Sequence, residues 1–191
     1  MAMLRGLVLA IVCCVPLLQG CAAVVIGTTV GTTAVLLDSR DVNRQIDDSG
    51  IRLELSTKLQ QNTAFTNQRV KFVAYNGDIL LYGQAESESI ARQAEQYARE
   101  TAGAVNVFNQ IRIRERTNFI TRSDDTWITT RVKTLLLREQ QYETSGIKVI
   151  TENNEVFLLG VVDSEAADRA IEIARHVRGV EKVVNVLTIS P

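Results

Sequence analysis

The chain contains the same pattern twice. Asp47-Asp48-Ser49-Gly50-Ile51 returns as Asp124-Asp125-Thr126-Trp127-Ile128, an offset of 77. At that offset Leu55 meets Val132, Leu59 meets Leu136, Val70 meets Ile147 and Gly83 meets Gly160. One residue then drops out of the second copy, after which Ala98 meets Ala174, Gly103 meets Gly179, Val107 meets Val183 and Asn109 meets Asn185. Self-similarity sustained over such a span marks a duplicated module. It constrains the fold strongly, because two different sets of side chains must build the same unit. Two copies are too few for a solenoid, so each is expected to fold as a small domain.

Each copy opens on an amphipathic helix. Ile51, Leu55 and Leu59 share one face in the first copy; Ile128, Val132, Leu135 and Leu136 do so in the second. Asp47 or Asp48, and Ser123 or Asp124, are placed as N-terminal caps or dipole partners. A hairpin follows. In the first copy Val70 to Tyr75 and Asp78 to Tyr82 flank Asn76-Gly77, a pair suited to the positive φ angles of a type I′ turn. Asn153-Asn154 takes that place in the second copy, and Asn tolerates the same conformation. A second helix has an Ala-rich inner face: Ile90, Ala91, Ala94, Tyr97 and Ala98, then Ala167, Ala170, Ile171 and Ala174. Gly103 and Gly179 stand where a helix C-cap is expected. Val105 to Ile113 and Val183 to Ile189 are the closing strands. The order is αββαβ, twice: an α+β chain in which each three-stranded sheet carries its helices on one face. A crossover helix before the last strand suits a mixed sheet, while the strand order stays open.

The N-terminal stretch has one basic residue, Arg5, then an apolar run from Gly6 to Leu18. The run is short for a spanning helix and ends in small or polar residues, the layout of a cleaved secretory signal. Leu18-Gln19-Gly20-Cys21 resembles the lipobox of bacterial lipoproteins. The resemblance implies cleavage before Cys21 and acylation of its thiol and new amino group. Ala22, in place of Asp, implies export to the outer membrane of a Gram-negative bacterium. Cys13 and Cys14 would leave with the signal, so the mature chain would carry no free thiol. The sequence therefore divides into a signal at 1–20, a lipidated terminus and tether at 21–45, domains at 46–115 and 124–191, and a linker at 116–123. Gly27 and Gly31 have helix-contact spacing but fall in the tether, a Thr-rich stretch.

The segments Asn76-Gly77-Asp78-Ile79-Leu80-Leu81-Tyr82-Gly83 and Glu152-Asn153-Asn154-Glu155-Val156-Phe157-Leu158-Leu159-Gly160, each followed by an Ala-rich helix and a Gly-Val-x-x-Val-x-Asn motif, resemble the BON domain. Two such domains behind a lipobox are similar to the dual-BON outer-membrane lipoproteins. That resemblance implies a phospholipid-associated protein, facing the periplasm, that supports outer-membrane integrity and acts near the division site. The first copy departs from it in lacking the Trp, and the second has Asn154 in place of the hairpin glycine.

Catalysis finds little support. His176 is the only histidine, late in a helix, where a surface position or a favourable C-terminal charge is the simpler account. With no free thiol in the mature chain and no second histidine, a zinc site is not expected, and no cofactor is implied. Asp47-Asp48 and Asp124-Asp125 would be acid and base in a hydrolase; their place before an apolar helix favours helix N-terminal charges instead. Twenty-one basic residues stand against 22 acidic, so a nucleic-acid partner is not expected.

The duplication supplies an internal control. At 100° per residue, Trp127, Arg131, Thr134 and Arg138 fall together beside the buried stripe of the second copy. The first copy has Gly50, Glu54, Thr57 and Gln61 there, so the fold does not require the aromatic or the cations. Leu137 projects from the other side, where the first copy has Gln60. Trp beside Arg suits an anionic membrane surface. The expected site is therefore phospholipid-binding, with Trp127, Arg131, Thr134, Leu137 and Arg138 meeting phosphatidylglycerol-like headgroups. Arg114, Arg116 and Arg122 around Phe119 and Ile120 are candidates to join them. The other reading packs Trp127 between the domains and pairs the arginines with acids. An adaptor that grips an envelope-assembly protein is the alternative function.

Overall fold

A computed structural model describes residues 42–116, 119–139, 141–144 and 146–190, with the backbone alone at 42–46 and Phe119. The signal, Cys21, Gly27 and Gly31 lie outside the described residues. The first domain comprises α1 (Val42–Gln61), a 3-10 turn (Thr63–Phe65), β1 (Arg69–Tyr75), β2 (Asp78–Ala85), α2 (Glu88–Arg99) and β3 (Asn106–Ile113). The second comprises α3 (Phe119–Arg138), β4 (Lys148–Glu152), β5 (Glu155–Val162), α4 (Ser164–Arg175) and β6 (Lys182–Ile189).

Both sheets place the second hairpin strand in the middle, in the orders β1-β2-β3 and β4-β5-β6. The hairpin pairs are antiparallel and the β2–β3 and β5–β6 pairs parallel. The sheets are mixed, as the crossover helices require. Positive φ at Asn76 (54°), Gly77 (83°), Asn153 (52°) and Asn154 (62°) confirms the turn chemistry expected at both hairpins.

The helices cover one face of each sheet. Ile51, Leu55 and Leu59 of α1 meet Ala91, Ala94 and Ala98 of α2 over Ile79, Leu81 and Ile111. Ile128, Val132 and Leu136 of α3 meet Ala167, Ala170 and Ala174 of α4 over Val149, Val156 and Leu158. Small alanines let the second helix lie close to the sheet, and Ser87 and Asp163 cap the N-termini of α2 and α4.

The opposite faces of the two sheets meet each other. Val73 and Leu80 of the first domain pack with Phe157, Leu159 and Val186 of the second, flanked by Tyr82, Phe108, Ile150 and Val184. The layers therefore run helices, sheet, sheet, helices. This explains the runs Ile79–Tyr82 and Val156–Leu159: a middle strand buried on both faces is apolar at successive positions. A polar cluster borders this seam. The Glu152 carboxylate accepts from Arg69 Nε (2.7 Å), Arg69 Nη2 (3.2 Å), Gln84 Nε2 (3.1 Å) and Lys71 Nζ (3.3 Å). Arg112 pairs with Glu155, and the Tyr75 hydroxyl donates to the Gly146 carbonyl.

Two local expectations, the helix N-caps and the glycine C-caps, need correction. Helices α1 and α3 begin before the paired aspartates, at Val42 and Phe119, so Asp47, Asp48, Ser123, Asp124 and Asp125 lie inside helices and cap nothing. The 116–123 stretch is consequently helical from Phe119. The C-caps of α2 and α4 are Glu100 and His176, not the glycines. Gly103 and Gly179 come three residues later, at φ 85° and 89°, in the turns that lead to β3 and β6.

Candidate functional site

The second aspartate of each pair is structural, in a different way from helix capping, while Asp47 and Asp124 are exposed. Asp48 Oδ2 and Oδ1 accept the backbone N–H groups of Asn76 (3.0 Å) and Gly77 (2.9 Å). Asp125 holds Asn153 and Asn154 identically, both at 2.8 Å. Each carboxylate clasps its own hairpin turn to the first helix, and both are buried. Burial pushes the Asp125 carboxyl above its usual range, against the downward pull of the two turn amides. With both oxygens committed to backbone donors, these groups are poorly placed as acid and base. We expect Asp125→Ala to cost about 2 kcal/mol, since it strands two turn amides. Urea unfolding reads this as a lower midpoint with an unchanged slope, and a wild-type midpoint would show that the turn holds itself.

His176 is the exposed C-cap of α4, its Nδ1 2.7 Å from the Glu172 carbonyl oxygen. The open groove of about 610 Å³ beside it has no hydroxyl or thiol side chain in its lining; Arg169 and Glu139 pair within it at 2.6 Å. Among the described residues no group of three or more His, Cys, Asp or Glu is placed to hold a metal ion. No described helix is long and apolar enough to cross a membrane.

The outer face of α3 is different in character. Trp127 is 52% exposed, Leu137 73% and Ile120 72%, three large apolar side chains turned to solvent along one helix. Arg131 and Arg138 are exposed between and beside them. Among the described residues, neither arginine has an ion-pair or hydrogen-bond partner. Trp127 is therefore not buried between the domains, and among the described residues Arg131 and Arg138 are not paired with acids. Thr134 is half-buried and donates its hydroxyl proton to the Thr130 carbonyl at 2.8 Å, as Thr126 and Thr130 do to carbonyls four residues back. That proton is committed within the helix. Arg114 and Arg116 are exposed; the Phe119 side chain lies outside the described residues. The same helix thus buries Ile128, Val132 and Leu136 and exposes a mixed apolar and basic face. The first copy's helix has a single large exposed apolar residue among its described side chains, Leu53.

Trp127 also walls a groove of about 500 Å³, with Asp124, Ile128, Asn154, Arg178 and Gly179. Arg178 was not singled out from the sequence. Its counterpart in the first copy is Ala102, and setting those two positions side by side is the signal that finds it.

Known proteins match this architecture. The BON domain family model matches residues 47–115 and 124–191. The chain is 38% identical over 152 residues to the 21 kDa hemolysin of Actinobacillus pleuropneumoniae, covering 79% of this chain and 78% of that protein. It is 35% identical over 170 residues to the outer membrane lipoprotein DolP of Haemophilus influenzae, covering 88% of each. It is 29% identical over 147 residues to the osmotically-inducible protein Y of Escherichia coli, covering 75% and 73%. Two matched domains, each an αββαβ unit with the middle strand supplied by its hairpin, make this chain a member of the BON-domain family.

Proposed function

We propose that this protein is a non-enzymatic lipoprotein of the outer membrane, anchored through acylated Cys21, whose second domain docks on anionic phospholipid through α3. The observation that carries this reading is the exposed Trp127 beside Arg131 and Arg138, which have no partner among the described residues, on a helix whose counterpart has Gly50, Glu54 and Gln61 at the same positions. An indole partitions to the headgroup level of a bilayer, and each basic residue near an anionic surface contributes about 1 kcal/mol. Ile120 and Leu137 add apolar area to the same helix. The Leu18–Cys21 motif and the outer-membrane relative support the anchor and the compartment. Two attachments on one chain act through effective concentration, so modest affinity at α3 suffices. Support of outer-membrane integrity near the division site is part of this proposal, and rests on the family resemblance alone.

Co-flotation of residues 22–191 with vesicles tests it. Binding is expected to phosphatidylglycerol and not to phosphatidylcholine, and to weaken as salt shortens the Debye length. Arg131→Glu removes one attraction and adds one repulsion, about 2 kcal/mol or roughly thirtyfold in affinity. Trp127→Ala should also lose most of the bound fraction. If the folded wild type stays off anionic vesicles, the acyl chains are its only membrane contact. Trp127 then becomes a candidate anchor for an envelope-assembly protein, to be sought by cross-linking.

A further inference from the structure

Both domains carry a groove at the same place, between the first helix, the hairpin turn and the loop after the second helix. In the first domain it is about 580 Å³, and Ile51 and Gly103 form its floor. In the second, Ile128 and Gly179 do so. The glycine keeps that floor open: at φ 89°, a Cβ on Gly179 would lie 3.3 Å from Ile128 Cδ1. Both linings keep an aspartate, Asp47 or Asp124, and differ in the charges beside it. In the first domain Glu54 accepts the Ala102 amide at 3.2 Å and pairs with Lys58 at 2.8 Å, so the acid is satisfied locally. In the second domain the positions of Gly50, Glu54 and Ala102 are Trp127, Arg131 and Arg178. Arg178 is exposed, and among the described residues it has no acidic partner, although Asp124 lines the same groove. The Asn154 side-chain amide donates to Glu181 at 3.1 Å, and Arg178 is the one cation among the residues that line the groove.

We infer that this groove is the seat of a single phospholipid headgroup, with Arg178 on the phosphodiester and the Trp127 indole against its glycerol. The inference rests on the docking of α3 proposed above and adds a discrete site to it. A planar guanidinium suits two phosphate oxygens at once. An indole wall beside it suits the boundary between headgroup and acyl chain. The first domain, with a similar cavity, Ala102 in place of Arg178 and the paired acid Glu54 in its lining, is not expected to take this ligand.

Trp127 is the only tryptophan, so its fluorescence reports the groove directly. Residues 40–191 form one compact unit and serve as the protein for the test. Titration with dihexanoyl-phosphatidylglycerol below its micellar concentration should give a saturable change in emission. Arg178→Gln should weaken it about tenfold, the effect of one charge-assisted hydrogen bond. Arg92→Gln, an equal charge change at an exposed site in the first domain, should leave it unaltered. Dihexanoyl-phosphatidylcholine and inorganic phosphate should give no comparable change. A wild-type response in Arg178→Gln overturns the site, as does an equal response to phosphate. A protein that binds phosphatidylglycerol vesicles but ignores the monomeric lipid has a docking face without a headgroup seat. Failure on both vesicles and monomer sinks the docking reading with it.

Discussion

Gly83→Ala is expected to unfold the first domain under conditions where the wild type is stable. Gly83 sits in β2 opposite Val70, at φ 107°, and a Cβ there would lie 1.9 Å from the Arg69 carbonyl oxygen. No side-chain rotation relieves a contact with backbone, so β1 would have to move away from β2. The left-handed φ adds a strain of order 1–3 kcal/mol by itself. Together these place the loss above about 4 kcal/mol, a large share of the stability of any small domain. The displaced residue is Arg69, whose guanidinium holds Glu152 across the seam, so the domain contact should weaken too. The second domain provides the comparison. At Gly160 a Cβ would stand 3.0 Å from the Gly146 carbonyl oxygen, so Gly160→Ala should cost clearly less. Urea unfolding of the two variants measures the difference, and equal midpoints would show that the hairpin strands do not approach unequally.

Glu152→Gln is the second large effect. Glu152 is 4% exposed and Arg69 14%. Two charges withdrawn from water at such a site are tolerable only as a pair, and removing one partner costs about 3–5 kcal/mol because the other stays buried and uncompensated. Replacing both by apolar residues, as in Arg69→Met with Glu152→Leu, should cost less than either single change, a non-additivity that a double-mutant cycle reads directly. The pH dependence has a definite sign. Burial alone pushes the Glu152 carboxyl up; hydrogen bonds from Arg69 and Gln84, with the charges of Lys71 and Arg69, outweigh it and hold the group below its ordinary value of 4.5. A carboxyl depressed on folding contributes stability above its unfolded pKa and loses it as pH falls through the folded one. The stability difference between wild type and Glu152→Gln should therefore be full near neutral pH and shrink below 4.5. A difference that is constant down to pH 3 would mean that the charge on Glu152 contributes nothing.

Much of the architecture is legible in the sequence, because local chemistry fixes it. Asn76-Gly77 and Asn153-Asn154 specify their turns through φ preference alone, and the helix stripes through Ile51, Leu55 and Leu59 or Ile128, Val132 and Leu136 follow from periodicity. The duplication then doubles each observation. The candidate lipid face was legible in part. Trp127, Arg131, Leu137 and Arg138 can be placed on a helix surface by angle, but whether that surface is open depends on what the other domain covers. Arg178 escaped because it belongs to a loop, where no period relates it to Trp127.

The aspartates show where sequence logic stops. Asp48 and Asp125 stand just before apolar helical positions, which reads as capping; their partners are amides 28 and 29 positions along the chain. The domain arrangement is similar. Sequence determined two αββαβ units, their turns, their helix-facing cores and a basic aromatic helix peculiar to the second, because each depends on neighbours a few residues apart. Tertiary structure alone decided the middle position of β2 and β5, the meeting of the two sheets through Leu80 and Phe157, and the seating of Glu152 between Arg69, Lys71 and Gln84. The parallel strand pairings join residues about 28 positions apart and the charge contacts of the seam residues 68 to 83 apart, and burial and charge pairing at such separations are set by which surfaces meet, not by any local pattern.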